Sequence, residues 1–160
     1  LATDFLRDEM LSAANLAPSW KNSQTPRFYV ATGEKSKNAV REALPEFNRK
    51  NTENVSAYIV TTVVLNRSGF DKDGTAVTEI GNGWGYYDLG LNNMALLLKA
   101  TELGISTLVM GIRDGEKLRK EFDIPETEAV VSVIAVGYTD SEIVRPKRKS
   151  VEDFAKFYED

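Results

Sequence analysis

The chain has 160 residues, 42% of them hydrophobic, and 24 acidic against 20 basic side chains give a formal charge of -4; this fits one domain over residues 1–160 with a real core, and it argues against a nucleic-acid partner. No cysteine or histidine is present, which removes disulfides, thiol nucleophiles, Cys/His metal sites and every triad with an imidazole base. The longest apolar candidate, Met94 to Leu98, falls far short of the roughly 20 residues of a membrane span, and without a signal peptide the expected location is a reducing cytoplasm.

Leu1 enters a helical pattern almost at once with no initiator Met, so the natural start is expected upstream. Asp4 is placed to cap a helix whose positions Leu6, Met10, Ala13, Ala14 and Ala17 repeat at helical spacing until Pro18 forbids continuation. Pro18 to Pro26 then reads as a polar loop, Phe28 to Ala31 as a strand, Ser36 to Leu44 as a helix and Ala57 to Leu65 as a β-branched strand. Asn66 to Tyr87 is rich in Gly, Asp and Asn and reads as a long loop, a candidate lid. Asp88 is expected to cap a helix from Leu89 to Leu103 that Gly104 ends. Its Leu89, Leu91, Met94, Leu96, Leu97, Leu98 and Leu103 leave almost no polar face, which predicts burial in a core shared with a second copy. Ser106 to Met110 reads as a strand, Asp114 as the cap of a helix through Phe122, and Val130 to Gly137 as a central strand. Ser150 with Asp153 resembles a capping box opening a last helix to Tyr158. Strands and helices interleave without forcing Rossmann winding, so the predicted class is α+β with a mixed sheet.

Several segments invite a chemical reading. Asp71-Lys72-Asp73-Gly74 resembles the start of a calcium loop, but the sixth and twelfth positions are Ala76 and Asn82 where Gly and Glu are needed. A solvated acidic turn is the simpler reading. Gly81-Asn82-Gly83-Trp84-Gly85 does not follow a strand into a helix as a phosphate cradle must, and its glycines read as flexibility around Trp84, Tyr86 and Tyr87. Those rings can floor a substrate pocket or plug a core. Arg145, Lys147, Arg148 and Lys149 precede a helix start and suit a phosphomonoester, with a solvated basic turn as the alternative. Finally, Ala17-Pro18-Ser19-Trp20-Lys21-Asn22-Ser23-Gln24 sets neutral hydrogen-bonding groups on a loop held by a helix, a helix stop or a reader of a heteroaromatic edge.

That string resembles the nitroreductase and flavin reductase family, whose loop after the first core helix reads A-P-S-x-x-N-x-Q. Ala17, Pro18, Ser19, Asn22 and Gln24 match it, and Asp88, Glu102-Leu103-Gly104-Ile105, Met110-Gly111, Ile124-Pro125-Glu126 and Val136-Gly137 follow in the family's order. The resemblance covers essentially the whole chain. It implies a nitroreductase-like fold with a mixed, mainly antiparallel sheet flanked by helices, and an interlocked homodimer binding FMN at its interface. Pro18, Ser19, Trp20, Asn22 and Gln24 would contact the flavin of the partner subunit, the backbone at Val109, Met110 and Gly111 would approach flavin N5, and Lys147, Arg148 and Lys149 would hold the phosphate. Phe47-Asn48 weakly resembles a further flavin-contacting region.

Two departures stand out. The family's Arg-Arg-Ser-x-Arg motif ahead of the first helix has no counterpart in these 160 residues. Where the family often continues Gln-Pro-Trp, this chain has Gln24-Thr25-Pro26, and Trp20 is the ring that stands in for the lost one. The implied activity is hydride transfer from NAD(P)H through FMN to a nitroaromatic, quinone or similar small acceptor, chemistry that needs no histidine or thiol. Alternatives are flavin fragmentation or reductive dehalogenation on the same fold, a flavin-carrying or ligand-binding dimer without turnover, and a phosphate-binding module without flavin.

Overall fold

The computed structural model describes all 160 residues. One continuous helix, α1, opens the chain as α-helix over Thr3–Phe5, π-helix over Leu6–Leu11 and α-helix again over Ser12–Asn15. Leu6, Met10 and Ala14 form its buried line. Asp4 does not cap it. A cap needs extended backbone ahead of the first turn, and Ala2 holds that place, while Asp4 sits inside the turn and pairs with Arg7 at 3.2 Å.

After a short 3-10 turn at Trp20–Asn22 come β1 (Pro26–Ala31), α2 (Glu34–Glu42), α3 (Glu46–Asn51) and β2 (Ala57–Val64). The polar loop thus ends before Pro26, which opens an edge strand, a place where its missing N–H costs no ladder bond. The first of these two helices begins ahead of the expected Ser36 and stops at Glu42; the second is too short to show an apolar repeat. The rest of the chain supplies α4 (Gly83–Glu102), β3 (Ser106–Met110), α5 (Gly115–Glu121), β4 (Glu128–Gly137) and α6 (Val151–Phe154).

The four strands form one sheet in the order β1-β2-β4-β3, and every neighbouring pair is antiparallel. This corrects the expected mixed sheet. Residues 111–127 with their seven-residue helix return the chain to the end of the sheet it has just left, Met110 facing Val133, so no crossover is made. Alternation along β2 and β4 sends Tyr58, Val60, Val133 and Ala135 to one face with Val40, Leu44 and Leu118. Ile59, Ile134 and Val136 go to the other, with Leu6, Met10 and Leu96.

The segment after β2 departs most from expectation. Residues 66–82 are pinned turns: the Asn66 backbone N–H donates to Asn82 Oδ1, the Asn82 carboxamide donates back to Asn66 Oδ1, and Val77 N–H donates to Gly69 O at 2.8 Å. The helix starts at Gly83, so Asp88 lies inside α4 and is not its cap. Glycine is a poor helix former, which is why the stretch read as loop, but packing overrides propensity here. Gly85 is buried against β2, where a Cβ would stand 2.9 Å from Val63 Cγ2. Gly69, at φ +85, would put one 2.7 Å from the Gly81 carbonyl oxygen. These glycines permit close approach; they do not loosen the chain. Within the single chain α4 leaves one apolar line uncovered: Tyr87, Met94 and Leu98, at helical spacing, are 61%, 52% and 58% exposed.

Asp114 does cap α5, accepting the Lys117 N–H at 3.0 Å. In α6 the Ser150 N–H donates to the Asp153 carboxylate at 3.3 Å as the capping-box pattern predicts, yet the helix ends at Phe154 and not at Tyr158. Ile143, Val144, Phe154, Phe157 and Tyr158 of this tail are exposed. No helix is long and apolar enough to cross a membrane.

Candidate functional site

Between α1 and β1 the backbone takes an unusual course. Lys21, Asn22 and Gln24 have φ of 46, 55 and 51 degrees, the left-handed region that costs any residue other than glycine. Such strain persists only where the surroundings hold it. Within the loop, Asn22 N–H donates to Ser19 O at 3.1 Å, Ser23 N–H to Trp20 O at 2.8 Å, and Gln24 N–H to Ser19 Oγ at 3.0 Å. At the exit, the Arg27 guanidinium donates to Gln24 O at 2.6 Å and to Pro26 O at 2.9 Å. From below, the Asp88 carboxylate takes the Trp20 N–H at 3.0 Å.

Trp20 and Trp84 pack with ring centroids 4.9 Å apart, and Trp84 meets Tyr87 edge-on at 5.6 Å. Trp84 Nε1 donates to Thr78 Oγ1 at 2.8 Å, so the aromatic group also ties the 66–82 turns to α4. Trp20 Nε1 is buried without a partner. Tyr86 and Tyr87 are exposed, which leaves ring surface available as well as plugged. The Asn22 carboxamide makes no hydrogen bond within the chain, and the Gln24 carboxamide makes only a long one, 3.5 Å, to Asn22 O. Pro18 is exposed at the head of the loop.

At the end of β3, Val109 is half exposed, Met110 is buried, and Gly111 is exposed with nothing within 4 Å of a built Cβ. The Gly111 and Ile112 amides donate to no carbonyl of the chain. Lys147, Arg148 and Lys149 gather with Ser150 and Asp153 around an open cavity of about 510 Å³. No ion pair engages any of the three cations, and Arg148 donates only to Pro146 O at 2.9 Å. A second cavity, about 710 Å³, lies between Ser106–Leu108, the connection before β2 and the chain after Gly137. Neither cavity includes residues 18–24 or 109–111. These two cavities thus join none of the three predicted groups to another.

Phe47 is exposed and Asn48 buried on α3. Asp73, at the tip of the 66–82 turns, accepts the Thr75 N–H at 2.9 Å, a bond that holds its carboxyl below the usual range. No group of three His, Cys, Asp or Glu residues is poised for a metal. Sequence reasoning missed Ser68 and Thr25, both buried beneath the 18–24 loop and 3.1 Å apart through their hydroxyls. The signal for that underlayer in the sequence is Asp88, a carboxylate leading an apolar helical run, which reads there as a cap.

The donor set fits a phosphorylated, flat, polar-edged group: unpaired cations on one segment, a rigid loop of neutral donors and acceptors on another, and unused amides on a third. The Nitroreductase family matches residues 3–138, and the chain belongs to it. Its fold is similar to that of a nitroreductase of Bacillus subtilis described as putative (TM-score 0.82, 20% identity, 99% of this chain and 89% of that one). It is also similar to an enone reductase of gut-bacterial fatty acid saturation (TM-score 0.84, 20% identity, 98% and 88%). A third similar structure is described as an oxidoreductase containing FMN (TM-score 0.74, 23% identity, 88% and 69%). No curated protein matches the sequence.

Proposed function

We propose that this protein is an FMN-dependent oxidoreductase that works as a homodimer and moves electrons from NAD(P)H to a nitroaromatic, quinone or similar small acceptor in the cytoplasm. The observation that carries the reading is the prebuilt 18–24 loop with its free Asn22 carboxamide, in a chain of this family that has no histidine or cysteine for acid–base or thiol chemistry. FMN, when bound, supplies the redox chemistry.

The residues of the chain bind and orient. Lys147, Arg148 and Lys149, which have no carboxylate partners, hold the phosphate. Asn22 and Gln24 hydrogen-bond the polar edge of the ring, with Ser19 spending its oxygen on loop shape and Pro18 and Trp20 walling the loop. Gly111 turns an amide with no internal partner toward the ring, and its missing side chain lets the ring come close beside Val109 and Met110. A second copy completes the site. Leu16, 85% exposed, and the Tyr87, Met94 and Leu98 stripe of α4 are the apolar side chains it would cover, and covering them excludes water from the ring.

The test is anaerobic stopped-flow mixing of the FMN-loaded protein with NADH and NADPH. Bleaching of the flavin band by either donor is expected, followed by reoxidation on adding a nitroaromatic, a quinone or an α,β-unsaturated ketone. A flavin band that neither donor bleaches identifies a carrier without turnover, and protein that takes up no FMN removes the flavin reading.

A further inference from the structure

The underlayer of the 18–24 loop is a hydrogen-bond network whose direction can be worked out. Asp88 is 2% exposed, and an ionised carboxylate only accepts. Its Oδ2 receives the Trp20 N–H at 3.0 Å and the Ser68 Oγ at 2.7 Å. Ser68 has one proton and spends it on Asp88. The Ser23 hydroxyl at 2.6 Å and the Thr25 hydroxyl at 3.1 Å must therefore donate to Ser68 Oγ. One buried oxygen on α4 thus collects an amide and a hydroxyl directly, and two further hydroxyls through Ser68. All four donors lie on the loop or on the turns beside it.

We infer that Asp88 is a positioning residue that fixes the left-handed course of the 18–24 loop, so that Asn22 and Gln24 face a bound ring before it arrives. Three non-glycine residues at positive φ relax unless something opposes them. Trp20 and Ser23, the residues directly flanking Lys21 and Asn22, are the ones anchored to this network. A loop that must be re-formed on binding loses affinity. The role in ligand binding rests on the flavin reading; the role in loop shape does not.

The chain has two tryptophans, Trp20 and Trp84, and their tilted contact at 4.9 Å gives an exciton couplet in circular dichroism that reports the loop's seat on α4. The couplet is assigned by its loss in Trp20→Phe. In Asp88→Ala the couplet should collapse and the Kd for FMN rise about tenfold or more, with the sheet still folded. Asp88→Asn, whose carboxamide oxygen still accepts, should restore part of both. Ser68→Ala, which leaves the Trp20 bond in place, should fall between wild type and Asp88→Ala. A folded Asp88→Ala protein with an unchanged couplet and FMN affinity overturns the inference. If that variant does not fold, an unchanged couplet in Ser68→Ala overturns it instead. If the wild type takes up no FMN, the flavin reading fails while the couplet still decides what Asp88 does.

Discussion

The 18–24 loop and the 145–149 turn are both polar connecting segments, and they are built in opposite ways. The loop is strained, cross-bonded by its own amides, stapled by Arg27 and seated on a buried carboxylate. The turn has four exposed cations, no ion pair, and a single guanidinium bond to a carbonyl two residues away. Neutral groups that recognise a ligand by shape must be held rigidly in advance, whereas cations act at longer range and tolerate disorder until a charge or a second chain arrives. The loop is complete in one copy. The turn and the apolar tail around it leave Val144 and Phe154 bare.

This contrast can be broken from either side. The largest effect is expected from Leu98→Glu, which sets a carboxylate in the exposed stripe of α4. Burying that charge in an interface should weaken self-association by about 100-fold or more, read by sedimentation velocity. FMN binding should fall with it while the Trp20–Trp84 couplet persists, because the loop needs no partner for its shape. A dimer as tight as wild type shows that the stripe is not the interface. Next comes Arg148→Ala, expected to weaken FMN roughly tenfold through loss of a charge-assisted bond, against little change in Lys156→Ala. Equal affinities in a flavin fluorescence titration remove the phosphate role from the turn. Of similar size is Gly85→Ala. Its Cβ would press on Val63 Cγ2 at 2.9 Å, with Ser68 Cβ and Thr25 Oγ1 each 4.0 Å away. A loss of about 1–3 kcal/mol in urea unfolding, together with a disturbed couplet, is expected; a neutral result shows that α4 can shift without cost.

The strands were legible because their signals are local: β-branched runs at 57–64, 106–110 and 128–137 repeat at a period of two or stay apolar throughout. So were the caps set by Asp114 and Ser150, where side chain and backbone lie within one turn. The start of α4 was not, since the reasons for Gly83 and Gly85 are Ile80 and Val63, contacts that no periodicity records. Asp88 reads as a cap for the same cause: a cap and a buried anchor look alike in sequence, and only the fold brings Trp20 and Ser68 onto it. For the site, the A-P-S-x-x-N-x-Q spacing pointed to the 18–24 loop, but its left-handed backbone and hydroxyl underlayer depend on residues more than forty positions away.

The smallest effect is expected far from both segments. Tyr29 Oη donates to Glu128 Oε1 at 2.7 Å, and Thr62 Oγ1 donates to the same oxygen at 2.6 Å. Burial first, and then the Glu128 carboxylate, push the Tyr29 hydroxyl up to about 12. An unfolded tyrosine loses its proton near pH 10. Between those values the folded chain keeps a proton that the unfolded chain has lost, so this contribution is complete below about pH 10 and declines as pH rises toward 12. Tyr29→Phe should cost about 1 kcal/mol at neutral pH for the lost bond. It should also lose stability less steeply than wild type between about pH 10 and 12, seen as urea midpoints that converge on alkalinisation. Parallel midpoints across that range would mean that the phenol ionises alike in both states and that Glu128 is satisfied without it.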